Sequence, residues 1–137
     1  MKMEYPNKIL LAWGEAISGN KEIREWLIEN GYPELGIFVH ALHNQPEARD
    51  WLMKKGFPHL MALINGAEGN VNALLWLRKH EFDILEKMAR CGDNSDDAML
   101  WLMNNGYAVF ANIAVRIQNV KNDIERNNND VHRISGV

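Results

Sequence analysis

The chain has one cysteine, Cys91, so no intrachain disulfide can form and stability must come from a packed core. A lone thiol suits a reducing compartment. Proline is scarce, at four residues. No stretch alternates apolar and polar residues over a useful length, which argues against strands. Neither sign of charge dominates: 15 Lys and Arg stand against 18 Asp and Glu, a formal net charge of −3. That balance offers no electrostatic footprint for nucleic acid or an anionic membrane. The apolar run Ile9-Leu10-Leu11-Ala12-Trp13 is too short for a signal segment or a membrane span. The expectation is a soluble, cytoplasmic protein of one domain.

What the chain does have is a period. Trp26, Trp51, Trp76 and Trp101 stand 25 residues apart, and each is followed by Leu. Gly recurs at 31, 56 and 106, with Glu81 departing. An aromatic follows each: Tyr32, Phe57, Phe82 and Tyr107. A large apolar column runs through Trp13, Phe38, Leu63, Met88 and Ile113. A small one runs through Ala16, Ala41, Gly66 and Cys91. Self-similarity at one fixed period is the signature of a repeat architecture.

Each window reads as two short helices. The first begins near Pro33, Pro58 or Asp83. Pro suits the first helical position, where its missing N–H costs nothing, and Asp83 suits an N-cap. It stops near pairs such as Gly19-Asn20 and Gly69-Asn70. Asn44, Asn70 and Ser95 are suited to capping the second helix, which carries Trp-Leu and ends at the window's Gly. The aromatic after that Gly is placed to fold back onto the last turn. Helices of about ten residues are marginal alone, so stacking between units must supply stability.

The fold class expected is all-α: a right-handed α-α superhelix, or solenoid, of about five 25-residue helix-turn-helix repeats. They fall at about 1–25, 26–50, 51–75, 76–100 and 101–125, within one domain spanning 1–126. Near the end the pattern changes. Phe110, Ile113, Ala114, Ile117, Val120 and Ile124 keep helical spacing, predicting one closing helix over about 108–126. Residues 127–137 are expected to be a flexible polar tail.

The two-helix unit resembles the α-solenoids, which include tetratricopeptide, HEAT and armadillo repeats, though this unit is shorter than theirs. The stretch ARDWLMKKGFPHLMALI is similar to leucine-rich-repeat-variant proteins in its order of helix, Pro-containing turn and helix, without their Asn-Pro turn. The resemblance covers residues 6–125 at the level of architecture and implies a binding scaffold. It carries no residue roles with it.

Few residues suggest chemistry. His40 and His43 are spaced like a ligand pair, but no second pair completes a zinc site. His59, His80 and His132 fall in other columns and are expected at or near the surface. Asp93 to Asp97 lack the Gly and closing Glu of a calcium loop, so helix capping is the expected role. Cys91 is expected to be a buried small residue and the Trp ladder to be core. The expectation is no enzyme activity, no catalytic residue, no metal and no cofactor.

One flank stands out. In the second helices it carries Met53, Leu75, Met99, Leu100 and Met103. Either the closing helix folds over it, which is the favoured reading, or a partner does. These five are the candidate contacts for a protein or peptide partner. Val120 and Ile124 are a candidate homodimer face. The alternative function is a small-molecule binder or enzyme with a cleft in the superhelix.

Overall fold

The computed structural model describes residues 4–135, with side chains through residue 129. Among them lie nine α-helices and no strand: α1 Asn7–Ile17, α2 Lys21–Glu29, α3 Pro33–Leu42, α4 Pro46–Lys54, α5 Pro58–Ala67, α6 Val71–Lys79, α7 Asp83–Gly92, α8 Asp96–Asn104 and α9 Ala108–Ser135.

The turns explain the period. A left-handed residue closes each of the first eight helices: Gly19, Gly31, Asn44, Gly56, Gly69, Glu81, Asn94 and Gly106. These positions alternate twelve and thirteen residues apart, and together two steps make one 25-residue unit. At every turn the next backbone N–H bonds the carbonyl five residues back. Tyr32 N donates to Leu27 O at 2.9 Å, and Phe57 N to Leu52 O at 2.8 Å. That bond satisfies a carbonyl the helix end would otherwise leave unpaired. Glycine takes the conformation freely, whereas Glu81, at φ 64°, must be held there by its surroundings.

The helix starts follow the sequence in part. Pro33, Pro46 and Pro58 occupy first-turn positions. The side chains of Asn20, Asn70 and Ser95 cap α2, α6 and α8 by accepting from Ile23 N, Ala73 N and Ala98 N. Two expected caps are corrected. Asn44 is the left-handed residue closing α3, and Gln45 stands at the N-cap of α4 without a side-chain bond. Asp83 is the first residue of α7, one place after its N-cap Phe82, where its charge favours the positive helix end.

The odd-numbered helices pack on one another in chain order, and each even-numbered helix packs only on its two chain neighbours. Core columns line the inner row: Trp13, Phe38, Leu63 and Met88 are fully buried. Small residues set the approach. A Cβ on Gly66 would stand 2.8 Å from that of Ala89, so α5 and α7 meet closely there. In the outer row Leu27, Leu52, Leu77 and Leu102 are fully buried. Each such leucine contributes roughly 1.5–3 kcal/mol.

The row closes on itself. Helix α9 packs on α7, α8 and α1, and touches α3 and α5. Gln118 Nε2 donates to Cys91 O at 3.1 Å, and Asn122 Nδ2 to Asn94 Oδ1 at 2.9 Å, tying α9 to the turn after α7. Arg116 holds the far side on α1. The helix also outlasts its expected end at 126 and continues to Ser135, where a flexible tail was expected. No Gly or Pro falls between Gly106 and Gly136 to stop it, and propagation needs no new nucleus. Residues 136–137, the remainder of that expected tail, lie outside the described residues.

Candidate functional site

Two corrections come first, because they decide what is on the surface. The Trp ladder lies at the edge of the core rather than within it: Trp51, Trp76 and Trp101 pack against the core, and Trp26 does not. Trp26 is 46% exposed, and Trp51, Trp76 and Trp101 are half-buried. Adjacent helical residues point about 100° apart, so burying each Leu turns its Trp outward. Three of these indoles instead stack on the aromatic after the turn: Trp51 on Phe57, Trp76 on Phe82 and Trp101 on Tyr107, at centroid distances of 5.9, 5.9 and 6.0 Å. In these three units the aromatic does fold back, as its spacing suggested; Tyr32 instead meets Tyr5 edge-on at 6.0 Å.

The second correction concerns the apolar flank. Helix α9 packs on α7, α8 and α1 yet leaves most of that flank uncovered. Met53, Leu75, Leu100 and Met103 are each more than half exposed; Met99 is half-buried. Val120 and Ile124 are half-buried too, and Val120 packs on the core.

Between successive even-numbered helices lie grooves in the same register. Over α3, Ile28 packs on Gly36 so tightly that a side chain there has no room. Over α5, a groove of about 270 Å³ is lined by Met53, Pro58, Met61, Ala62 and Trp76. Over α7, the same five positions are Arg78, Asp83, Glu86, Lys87 and Trp101, and the cleft reaches about 790 Å³. Four apolar positions have become charged within one repeat step. Phe82, Tyr107 and Phe110 complete the aromatic wall, and Glu4 and Glu81 also line it.

Glu86 is the unusual residue. It is 3% exposed, where Met61 holds the equivalent place at 6%. Its Oε1 takes Arg78 Nη2 at 2.9 Å and Arg90 Nε at 3.0 Å. Lys87 Nζ stands 3.9 Å from Oε2 and 5.3 Å from the centroid of the Trp101 ring. Only the carboxylate is buried; the Arg78 and Arg90 side chains that neutralise it remain largely open to solvent. Sequence reading missed this cluster. Its signal was a carboxylate in the Gly36–Met61 column, flanked by Arg78 and by Arg90 one helical turn on.

The remaining candidates fall apart spatially. His40 is half-buried and His43 exposed. Burial and the neighbouring Arg24 lower the His40 pKa. His59 is not a surface histidine: it is 4% exposed, stacked on Phe82 at 5.0 Å, and its Nε2 has no protein partner. Desolvation lowers its pKa to about 4. His80 is exposed against Trp76 at 4.2 Å. The side chain of His132 lies outside the described residues. Cys91 is buried in the small column, and burial pushes its thiol up, away from the reactive thiolate. In the acidic turn Ser95 caps α8, and Asp93 pairs with Lys121 at 3.3 Å.

Among the described residues no three His, Cys, Asp or Glu side chains gather to hold a metal ion. Nor is any described helix long and apolar enough to cross a membrane. No protein-family model matches the chain, and neither a curated protein nor a solved structure matches it.

Proposed function

We propose that this protein is a non-enzymatic helical-repeat scaffold, a right-handed α-α superhelix of five 25-residue units, that binds a protein or peptide in the cytoplasm. The observation that carries this reading is the exposure of large apolar side chains on successive even-numbered helices: Leu75 on α6, and Leu100 and Met103 on α8, are each more than half exposed. Monomeric soluble proteins seldom expose contiguous apolar patches of large area, and such patches mark contact sites. Methionine suits an adaptable contact because its side chain repacks at little cost. The repeated frame fixes helix positions, while the outward columns change from unit to unit. That division of labour serves a scaffold whose units are specialised for one partner.

The test is affinity capture from cell lysate with wild type and with a Leu75→Asp/Leu100→Asp/Met103→Asp variant. Both must first show the same helical circular dichroism. A protein retained by wild type and lost by the variant supports the reading. Equal retention, or none by either, contradicts it. A rival reading, a small-molecule binder, has the size of the cleft in its favour. A ligand-dependent rise in melting temperature across a metabolite panel would bring it forward.

A further inference from the structure

We infer that the cleft over α7 is a seat for an aromatic side chain, a tryptophan, tyrosine or phenylalanine carried by the partner polypeptide. The inference rests on the scaffold reading and adds the chemistry of what the scaffold grips.

Three observations lead there. The first is a comparison between units of the same chain. His59 bridges Phe57 and Phe82, at centroid distances of 6.0 and 5.0 Å, and its ring lies within 1° of parallel to Phe82. One repeat later the same three places are Phe82, Ile84 and Tyr107. An aliphatic side chain has replaced the bridging ring. It is half-buried, where His59 is 4% exposed. The grooves differ accordingly. The one over α5, of about 270 Å³, reaches none of Phe57, His59 and Phe82. The one over α7, of about 790 Å³, opens onto Phe82, Ile84 and Tyr107. The larger cleft thus extends over the place that an imidazole covers in the unit before.

The second is a ring that reaches these aromatics from outside the repeats. Tyr5 lies before α1 and meets Tyr32, the aromatic after the first Gly turn of a full unit, edge-on at 6.0 Å. Its hydroxyl donates to Glu34 Oε2 at 3.1 Å. Tyr107 holds the place of Tyr32 three repeats on. A ring carried by a non-helical segment is therefore a group that this column accommodates. Phe82 already stacks on His59 and on Trp76, which leaves its edge for the cleft. The edge of one ring suits the face of another, because the edge is positive and the face negative.

The third is the balance of charge. Arg78, Lys87 and Arg90 stand against Glu81, Asp83 and Glu86, and Glu4 is itself engaged. The cleft therefore selects neither sign, and a neutral side chain enters without leaving a charge unmatched. What remains to recognise it is Phe82, Ile84, Tyr107 and Phe110. A cleft of this size also holds part of the backbone that carries the ring.

The experiment uses the full chain and three probes: a short capped peptide with tryptophan at its centre, the same peptide with leucine there, and free 3-methylindole. Binding is followed by the methyl resonances of Ile84, assigned with Ile84→Val, and by the ring resonances of Tyr107. The tryptophan peptide is expected to move the Ile84 methyls upfield, the ring current of a ring lying over them. The leucine peptide is expected to leave them in place and not to displace the tryptophan peptide. Two variants follow, each checked for unchanged helical circular dichroism. Ile84→Phe puts a ring of the chain's own where His59 stands in the unit before, and is read at Tyr107. It is expected to weaken tryptophan-peptide binding roughly tenfold, by occupying the seat. Tyr107→Leu removes one wall and is expected to weaken it roughly two- to tenfold, the scale of one aromatic pair; it carries the test if Ile84→Phe does not fold. The inference is overturned if the leucine peptide displaces the tryptophan peptide at equal concentration, or if the folded variants bind unchanged. It is overturned too if Ile84 stays unmoved at millimolar tryptophan peptide, or if 3-methylindole binds and the peptide does not. Those failures leave the scaffold reading intact, because that depends on partner loss when Leu75, Leu100 and Met103 are charged.

Discussion

Arg116 Nη1 donates to the backbone oxygen of Gly14 at 3.2 Å, although the two residues lie 102 positions apart. The same guanidinium reaches Ser18 Oγ at 2.8 Å and Glu15 Oε1 at 3.2 Å. The last helix is thus tied to the end of the first. Gly14 leaves space for this: a Cβ there would stand 3.2 Å from Arg116 Cδ. Replacing Arg116 by Ala is expected to cost roughly 1–2 kcal/mol, the loss of charge-assisted bonds partly open to water. Urea unfolding checks this. An unchanged midpoint would mean that apolar packing alone joins α1 to α9.

Acid should loosen the fold at His59. Its folded pKa, about 4, lies below the ordinary value of 6.5 because burial disfavours the charged ring. The unfolded chain therefore binds the proton more readily. The associated stability is fully present above pH 6.5 and is lost as pH falls toward 4. The expected loss is on the order of 1–3 kcal/mol. Unfolding measured from pH 7 to 4 should show a shallower decline for His59→Leu than for wild type. Parallel curves would contradict the assignment.

The left-handed turn at Glu81 predicts a gain. Its φ of 64° is one a glycine takes without steric penalty. Glu81→Gly is expected to raise stability by about 1 kcal/mol, and Gly56→Ala, at φ 89°, to lower it by a similar amount. Thermal melts of the two variants should move in opposite directions.

Along the Trp-Leu ladder, the buried leucines matter more to folding than the exposed first tryptophan. Leu77 is fully buried, and Leu77→Ala is expected to cost about 2–5 kcal/mol. Trp26→Ala, at a site 46% exposed and outside the stacked pairs, is expected to cost less than about 1.5 kcal/mol. A larger loss at Trp26 than at Leu77 would reverse the account of the ladder.

These residues show what was legible in the sequence. The period, the glycine turns, Pro33 and Pro58 at first-turn positions, and the caps Asn70 and Ser95 are local. Each follows from one residue's backbone preference, so spacing alone reveals it. Asn44, Glu81 and Asn94 were harder, since a non-glycine in a left-handed turn carries no plain signature. The Trp ladder misled because size and regularity suggest burial, while helical geometry lets only one of two adjacent residues face inward. The closure of α9 on α1 depends on small rotations accumulated over all the units, which no single window encodes. Glu86 was hidden because its partners come from two helices, and only their packing turns a surface-like carboxylate into a buried one.

The central claim is that the apolar flank of α6 and α8 is surface, held by neighbours that do not need it. Even-numbered helices do not touch one another, and each is anchored by its buried Leu. The most direct measurement is urea unfolding of the Leu75→Asp/Leu100→Asp/Met103→Asp variant beside wild type. The account predicts the same helical signal and a stability change of at most about 1.5 kcal/mol, the sum of three surface substitutions. A collapse of several kcal/mol, or loss of the helical signal, would place those side chains in the core and contradict it.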